Sequence, residues 1–122
     1  MSLTIEIHSF SYKKGGIPKD NTGNGGGFAF DCRGILNPGR VEEYKAQTGC
    51  DIGVQDYLET KTDMPNFLDL VKNIISINID NYIGRNFDHL QINFGCTGGQ
   101  HRSVYAAEKT AAFIREKYPQ TT

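Results

Sequence analysis

The sequence lacks a long hydrophobic stretch, since none of its apolar runs approaches the roughly 20 residues that a membrane-spanning helix requires. It also lacks, after Met1, a basic segment followed by an apolar one, so we expect no export signal and a cytoplasmic location. Neither sign of charge dominates, because 13 Lys and Arg stand against 14 Asp and Glu and give a net charge of -1. Such a chain has no general electrostatic field that attracts nucleic acid.

Paired cysteines are missing as well. Cys32, Cys50 and Cys96 are odd in number and widely spaced, and no Cys-x-x-Cys occurs. This pattern argues against a disulfide framework and a tetrahedral zinc site, and it favours reduced thiols in a cytoplasm. The three histidines show no ligand spacing that indicates a metal: His8, His89 and His101. We therefore expect neither a metal nor a cofactor.

A segment near the start imitates a calcium loop. Asp20, Asn24 and their glycine neighbours are followed by Asp31 at the twelfth place. A calcium loop of this kind carries a bidentate Glu there and is flanked by helices, which the sequence does not predict. A flexible glycine-rich loop is the better interpretation of residues 13–27.

The length of 122 residues and the 38% hydrophobic content predict one domain, 1–122, that buries a core of its own. The periodicity predicts these elements in order: strand 3–9, loop 13–27, strand 28–32, helix 41–47, a short helix containing Val54, Tyr57 and Leu58, helix 64–82, strand 90–94, and a helix from about Arg102. This order favours a single α/β domain with a largely parallel sheet flanked by helices.

The long helix of this set, 64–82, is the most strongly patterned. Asp63 is predicted to cap it, and Pro65 lies in the first turn, where its missing N–H costs nothing. Its apolar residues recur at helical spacing and are predicted to pack in the core: Phe67, Leu70, Val71, Ile74, Ile75 and Tyr82.

A second glycine-rich segment joins the third predicted strand to the final helix. Glycines there let the backbone approach a ligand closely, and successive N–H groups at a helix N-terminus converge on an anion. Arg102 adds a planar fork that matches phosphate oxygens, and no carboxylate lies within 95–104. We predict that a phosphorylated small molecule binds at these residues: Cys96, Thr97, Gly98, Gly99, His101, Arg102 and Ser103.

Each of these residues also has a simpler explanation when it is taken alone. Gly98-Gly99 is sufficient for a tight turn, Ser103 for a helix cap and Arg102 for a surface charge. Their joint occurrence after a strand, where open α/β sheets bind ligands, favours the anion site.

The spacing of the loop leaves a catalytic alternative open. Five residues separate Cys96 from Arg102, and Ser103 follows, as in the Cys-x5-Arg-Ser/Thr loop of cysteine-dependent phosphatases. There the thiolate is the nucleophile and the arginine binds phosphate. Gly95 stands where those enzymes usually carry histidine, and Asp31 is the only conceivable general acid. We predict binding without catalysis and keep a phosphatase as the alternative, with Cys96, Arg102 and Asp31 as its catalytic residues.

The loop 95–104 and several upstream fragments resemble the C-terminal domain of the RapZ family, bacterial RNase adapter proteins. The fragments agree in order and spacing across nearly the whole chain: Ser9-Phe10, Tyr12-Lys13, Ile17-Pro18, Phe30-Asp31-Cys32-Arg33, Asn37-Pro38 and Thr48-Gly49. The resemblance implies an α/β domain similar to a phosphofructokinase subdomain, often self-associating, so a homo-oligomer is one expected assembly. It also implies a regulatory sensor domain that binds glucosamine 6-phosphate, with Asp31, Arg33 and Asn37 lining the pocket beside the loop.

The sequence departs from full-length RapZ proteins in three respects. It has no Gly-x4-Gly-Lys-Ser/Thr loop, so nucleotide hydrolysis is not expected of it. Full-length members contact small regulatory RNAs with the help of a basic tail, which is absent here, so RNA is kept as an alternative partner, with a regulatory RNA-binding module as a further alternative function that we do not place first. Gly39, followed by Arg40, stands where several members carry a pocket histidine. The chain is also compatible with being one domain of a larger protein.

Overall fold

A three-stranded parallel sheet forms the centre of the structure, a computed structural model that describes residues 2–122. β1 (Thr4–Ser11) and β2 (Gly27–Asp31) lie on either side of β3 (His89–Cys96), in the order β1-β3-β2. Both neighbours run parallel to β3, with Thr4 opposite His89 and Gly27 opposite Gln91. The predicted parallel sheet is therefore confirmed. The carboxyl ends of all three strands meet at one edge, where the segment after Cys96 begins.

Three α-helices flank the sheet. α1 (Ile52–Lys61) and α2 (Met64–Gly84) follow β2, and α3 (Arg102–Lys117) follows β3, so the predicted start of the final helix is confirmed. Within residues 2–122, no helix combines the length and the apolar character needed to cross a membrane.

The two faces of the sheet differ in chemistry. Paired residues of neighbouring strands share a face. Leu90, Ile92 and Phe94 of β3 point to one face and are buried in the core with apolar residues of the helices. The other face carries polar residues of β1 and β3: Glu6, His8, His89, Gln91 and Asn93. On that face the Asn93 amide donates to Gln91 Oε1 at 3.0 Å, and both residues are buried. One apolar core and one polar face result.

The predicted helix at 41–47 is wrong. Only two short 3-10 turns form there, Pro38–Arg40 and Glu42–Tyr44, and the residue between them, Val41, is extended at φ -96° and ψ 123°. The Gln100 side chain donates to the carbonyls of Lys45 at 2.7 Å and Gln47 at 2.6 Å. These tertiary hydrogen bonds override a weak local helix preference.

α2 is rotated relative to the predicted apolar stripe. Val71 and Ile75 are buried as predicted, but Leu70 and Ile74 are 61% and 46% exposed. The stripe that packs in the core consists instead of Met64, Leu68, Val71, Ile75 and Ile79. The sequence offers more apolar residues than one helix face holds, and the packing selects among them.

The predicted cap of α2 is also different. Pro65 lies in the first turn as predicted, and Asp63 occupies the N-cap position, but the Asp63 side chain makes no capping hydrogen bond. The Thr62 hydroxyl oxygen accepts from the N–H of Met64 at 3.1 Å. The residue before Asp63 therefore satisfies one of the free N–H groups of this helix terminus.

Replacement of a buried isoleucine on α2 tests this rotation. Ile75→Ala should lower the free energy of unfolding by about 2–5 kcal/mol, because it leaves a cavity in a fully buried position. Ile77→Ala, at a position that is 63% exposed on the same helix, should change it by less than about 0.5 kcal/mol. Urea unfolding of the two variants and the wild type measures both values. Equal losses would contradict the observed orientation of α2.

Candidate anion-binding site

The segment after β3 crosses directly over the end of β1. A Cβ atom at Gly95 would overlap the Phe10 ring. Gly99 has a positive φ of +70°, and a Cβ atom there would lie 3.0 Å from the Cβ atom of Ser11. The Ser11 hydroxyl donates to the carbonyl of Thr97 at 2.6 Å. Only glycine fits at 95, so Phe10 excludes the histidine that cysteine-dependent phosphatases usually carry before the cysteine. The loop therefore has one fixed position on the sheet.

A cleft of about 180 Å³ opens beside this loop, between the carboxyl end of β3 and the start of α3. Its lining includes five of the predicted site residues: Asn37, Cys96, Gly98, His101 and Arg102. Three further residues complete it. Gly39 stands at the position where the resemblance implies a pocket histidine, whereas Lys45 and Gln100 are not among the predicted site residues. None of the eight carries a carboxylate, and three of them are the basic residues Lys45, His101 and Arg102.

Arg102 is the buried cation of this wall, with 5% of its surface exposed. Its Nη1 donates to the carbonyls of Arg33 at 3.0 Å and Ile35 at 2.8 Å. Its Nε is buried and has no hydrogen-bond partner among residues 2–122. Arg102 thus brings a fixed positive charge to the wall of the cleft.

Backbone amides add further donors. The N–H groups of Gly98, Gln100 and His101 donate to no protein atom of the described chain. All three residues line the cleft at the N-terminal end of α3, where the helix dipole favours negative charge. An anion in the cleft would meet donors that the protein itself leaves free.

Cys96 lies at the base of the cleft with its sulfur 3.2 Å from the Ser103 hydroxyl oxygen. Burial by itself raises the pKa of the Cys96 thiol. The thiol donates to the Ser103 hydroxyl oxygen, whereas in the thiolate form the Ser103 hydroxyl and the N–H groups of Ser103 and Gly99 donate to the sulfur. These hydrogen bonds, together with the charge of Arg102, outweigh burial. The pKa of Cys96 therefore lies below its ordinary value, and the thiolate is stabilised.

Cys32, which directly follows β2, has a pKa that is shifted in the opposite direction. Its N–H donates to the carbonyl of Gly95 at 2.7 Å, which places it next to Cys96. Burial raises the pKa of the Cys32 thiol to about 12, and the adjacent Cys96 adds to the effect. Of these two buried thiols, only Cys96 has a lowered pKa.

His101 and Gln100 join the loop to the turn that carries Lys45. His101 Nε2 is 2.9 Å from the carbonyl oxygen of Tyr44, so Nε2 carries the hydrogen, because a carbonyl only accepts. The Gln100 amide holds the carbonyls of Lys45 and Gln47, as described above. A Cβ at Gly49 would overlap the His101 carbonyl, and the Gly49 N–H donates to the Gln100 carbonyl at 3.0 Å. This close backbone packing fixes the distance between the 96–103 loop and the segment that carries Lys45.

Asp31 and Arg33, both predicted in the pocket, lie beside the cleft and do not line it. They form a bidentate ion pair, with Arg33 Nη2 at 2.7 Å from Asp31 Oδ2, and the guanidinium stacks 3.8 Å from the centre of the Tyr12 ring. The hydrogen bond from Arg33 holds the pKa of the Asp31 carboxyl below its usual range. The two charges neutralise each other next to the site.

The remaining predicted residues do not line the cleft and instead hold the 96–103 loop in position. Ser103 is fully buried against Cys96, Thr97 contacts Ser11 through its carbonyl, and Gly99 makes the turn at positive φ. Among the missed residues, Gln100 lies inside the predicted loop and had a signal there. Lys45 had none, because hydrogen bonds from a residue 55 positions away bring it to the cleft.

The model of the RapZ C-terminal domain family matches residues 3–122. A nucleotide-binding protein of Endomicrobium trichonymphae is 39% identical over 115 residues, which cover 94% of this chain and 38% of the relative. Proteins of the same name from Cereibacter sphaeroides and Thermosipho africanus are 39% and 32% identical, over 87% and 93% of this chain. The chain spans 33% to 39% of the length of these three relatives. It belongs to the RapZ C-terminal domain family.

Proposed function

We propose that the domain binds a phosphorylated small molecule in the cleft beside the 96–103 loop. One observation carries the proposal: a buried arginine and three backbone amides without protein acceptors belong to residues that line one cleft, and none of its lining residues carries a carboxylate. Donors that converge in this way at a helix N-terminus are suited to phosphate oxygens.

The size of the cleft favours a compact ligand. Its volume of about 180 Å³ is below the roughly 300–1,000 Å³ typical of pockets that enclose drug-sized molecules. It suits a phosphate group and the adjoining part of a small sugar better than a whole nucleotide. Because the chain belongs to the RapZ C-terminal domain family, the ligand we propose is an amino-sugar phosphate such as glucosamine 6-phosphate, and the role is that of a sensor.

Loss of the Arg102 guanidinium should weaken this binding. Arg102→Ala removes a charge-assisted hydrogen bond to phosphate, so the binding free energy should fall by about 1.5–3 kcal/mol. Calorimetric titration with glucosamine 6-phosphate measures the difference. Unphosphorylated glucosamine is the control ligand and should bind weakly to both proteins.

Controls separate binding from folding, because Arg102 also holds two carbonyls of the chain. Arg115→Ala removes an exposed arginine from the same helix and should leave the affinity unchanged. Lys45→Met removes a second cation of the cleft whose only ion pair is an exposed one with Glu42, so affinity should fall without a change in Tm. Wild-type affinity in both Arg102→Ala and Lys45→Met would refute the proposal.

Hydrolysis of a phosphate ester is the second candidate function, and the hydrogen bonding at Cys96 favours it. A serine hydroxyl and two N–H groups stabilise the thiolate. Arg102 follows Cys96 at the Cys-x5-Arg spacing of cysteine-dependent phosphatases, in which the cysteine is the nucleophile. The general acid is the weak point. Asp31 is tied to Arg33, and no carboxylic acid lines the cleft. Binding without turnover is therefore the function we place first.

Turnover of an aryl phosphate distinguishes the two candidates. Under the binding function, the wild type and Cys96→Ser should both show only background hydrolysis of p-nitrophenyl phosphate, measured by absorbance of the released phenolate. Hydrolysis by the wild type that disappears in Cys96→Ser would assign the phosphatase function to the site.

The pH dependence of thiol alkylation tests the environment of Cys96 independently of either function. Since its pKa is lowered, the rate of its reaction with iodoacetamide should reach half of its maximum at a lower pH than for cysteine in a short peptide. Ser103→Ala removes the hydroxyl that stabilises the thiolate and should move this midpoint to higher pH. Peptide mass spectrometry separates Cys96 from the exposed Cys50. A midpoint unchanged by Ser103→Ala would contradict the described hydrogen bonding.

A further inference from the structure

Two metal-ligating side chains project from adjacent strands on the polar face of the sheet, near the amino end of β3. Thr4 lies opposite His89 and Glu6 opposite Gln91, so Glu6 and His89 share that face. His89 Nε2 is 2.7 Å from Glu6 Oε2. Because both residues belong to strands of one ladder, the sheet fixes this pair in place.

Asp20 joins the pair from the segment between β1 and β2. One ligand atom from each of Glu6, Asp20 and His89 lies within 4.8 Å of the other two. Hydrogen bonds from the Thr22 hydroxyl at 2.6 Å and the Gly25 N–H at 2.8 Å hold the Asp20 carboxylate in place.

The charges of this cluster are not balanced by a permanent cation. No Lys or Arg forms an ion pair with Glu6 or Asp20 within residues 2–122, and the basic groups beside Glu6 are His89 and, at 3.5 Å, His8. The His89 side chain is 11% exposed, and its Nδ1 is buried without a hydrogen-bond partner. Two carboxylates and a largely buried imidazole therefore meet with negative charge in excess.

We infer that Glu6, Asp20 and His89 bind a divalent transition-metal ion, with Zn²⁺ as the ion that fits best. Zinc accepts mixed imidazole and carboxylate ligands in tetrahedral geometry, often with three protein ligands, whereas Ca²⁺ and Mg²⁺ take oxygen ligands. Ligands about 2.0 Å from a tetrahedral ion lie about 3.3 Å apart, so Asp20 needs to approach by only about 1.5 Å. His8 lies on the same face, with its Nε2 at 3.5 Å from Glu6 Oε1.

The site is separate from the cleft. His89 and Cys96 mark the two ends of β3, and seven residue steps of a strand span roughly 23 Å. A bound ion would fasten the glycine-rich 12–26 segment to the face of the sheet, because Asp20 belongs to that segment and the other two ligands belong to strands. The inference does not depend on the proposed phosphate binding.

Competition between the protein and a chromophoric zinc chelator measures the affinity and stoichiometry. The wild type should bind one Zn²⁺, and Glu6→Gln and Asp20→Asn should each weaken binding more than about tenfold. Asp69→Asn, which changes an exposed carboxylate on α2, is the matched control and should bind as the wild type does. Cys50→Ser should also bind normally, and the Co²⁺ form should show no thiolate-to-cobalt absorption band.

Proteolysis provides a second measurement that does not depend on the chelator. Lys13, Lys14 and Lys19 lie in the same segment as Asp20 and are sites for trypsin. Zn²⁺ should slow cleavage there in the wild type and in Asp69→Asn but not in Asp20→Asn. Wild-type zinc affinity in Asp20→Asn, or loss of zinc binding in Cys50→Ser, would overturn the inference.

Discussion

The Arg102 guanidinium is buried at the start of α3, and its partners in the protein are carbonyl oxygens. Moving a charge out of water costs several kcal/mol unless an opposite charge or a full set of hydrogen bonds compensates it. Here two carbonyls compensate in part, and Nε is left without an acceptor. The fold therefore keeps a cation that is only partly satisfied at the place where the loop, the cleft and Cys96 meet, and hydrogen bonds to the Cys96 sulfur lower the pKa of that thiol more than the charge of Arg102 does.

The same arginine joins parts of the chain that are distant in sequence. Its two carbonyl partners lie just after β2, while its backbone begins the helix after β3. On the other side, His101 and Gln100 hold the 3-10 turn at 42–44 and the residues that follow it. The cleft is thus formed where three segments meet, and each is held by hydrogen bonds to the 96–103 loop or to the first residue of α3.

Sequence patterns predicted the parts of this architecture that depend on local rules. Alternation located β1 and β3, glycines and a helix start located the loop, and one apolar face located α2 in outline. The patterns did not predict which of several equally apolar residues the packing of the helices would bury. Leu70 and Ile74 have the same apolar character as Val71 and Ile75, and only the neighbouring elements decide which pair is buried.

Side-chain pairing is a second feature that local patterns do not encode. Asp31 and Arg33 have the right chemistry for a pocket, but they are two residues apart on the same strand end and bind each other. Lys45 reaches the cleft through contacts with Gln100 that no local pattern encodes. The group of Glu6, Asp20 and His89 was invisible for the same reason, since its members are 14 and 69 positions apart and only the sheet register and the loop path bring them together.

Gly49 shows how a position outside the cleft controls its shape. The backbone there lies against the His101 carbonyl and the Tyr105 amide so closely that no side chain fits between them. Main-chain contact therefore holds the start of α3 against residue 49, in addition to the side-chain hydrogen bonds of Gln100 and His101. A side chain at position 49 would displace the backbone that carries two residues of the cleft wall, although position 49 does not line the cleft itself.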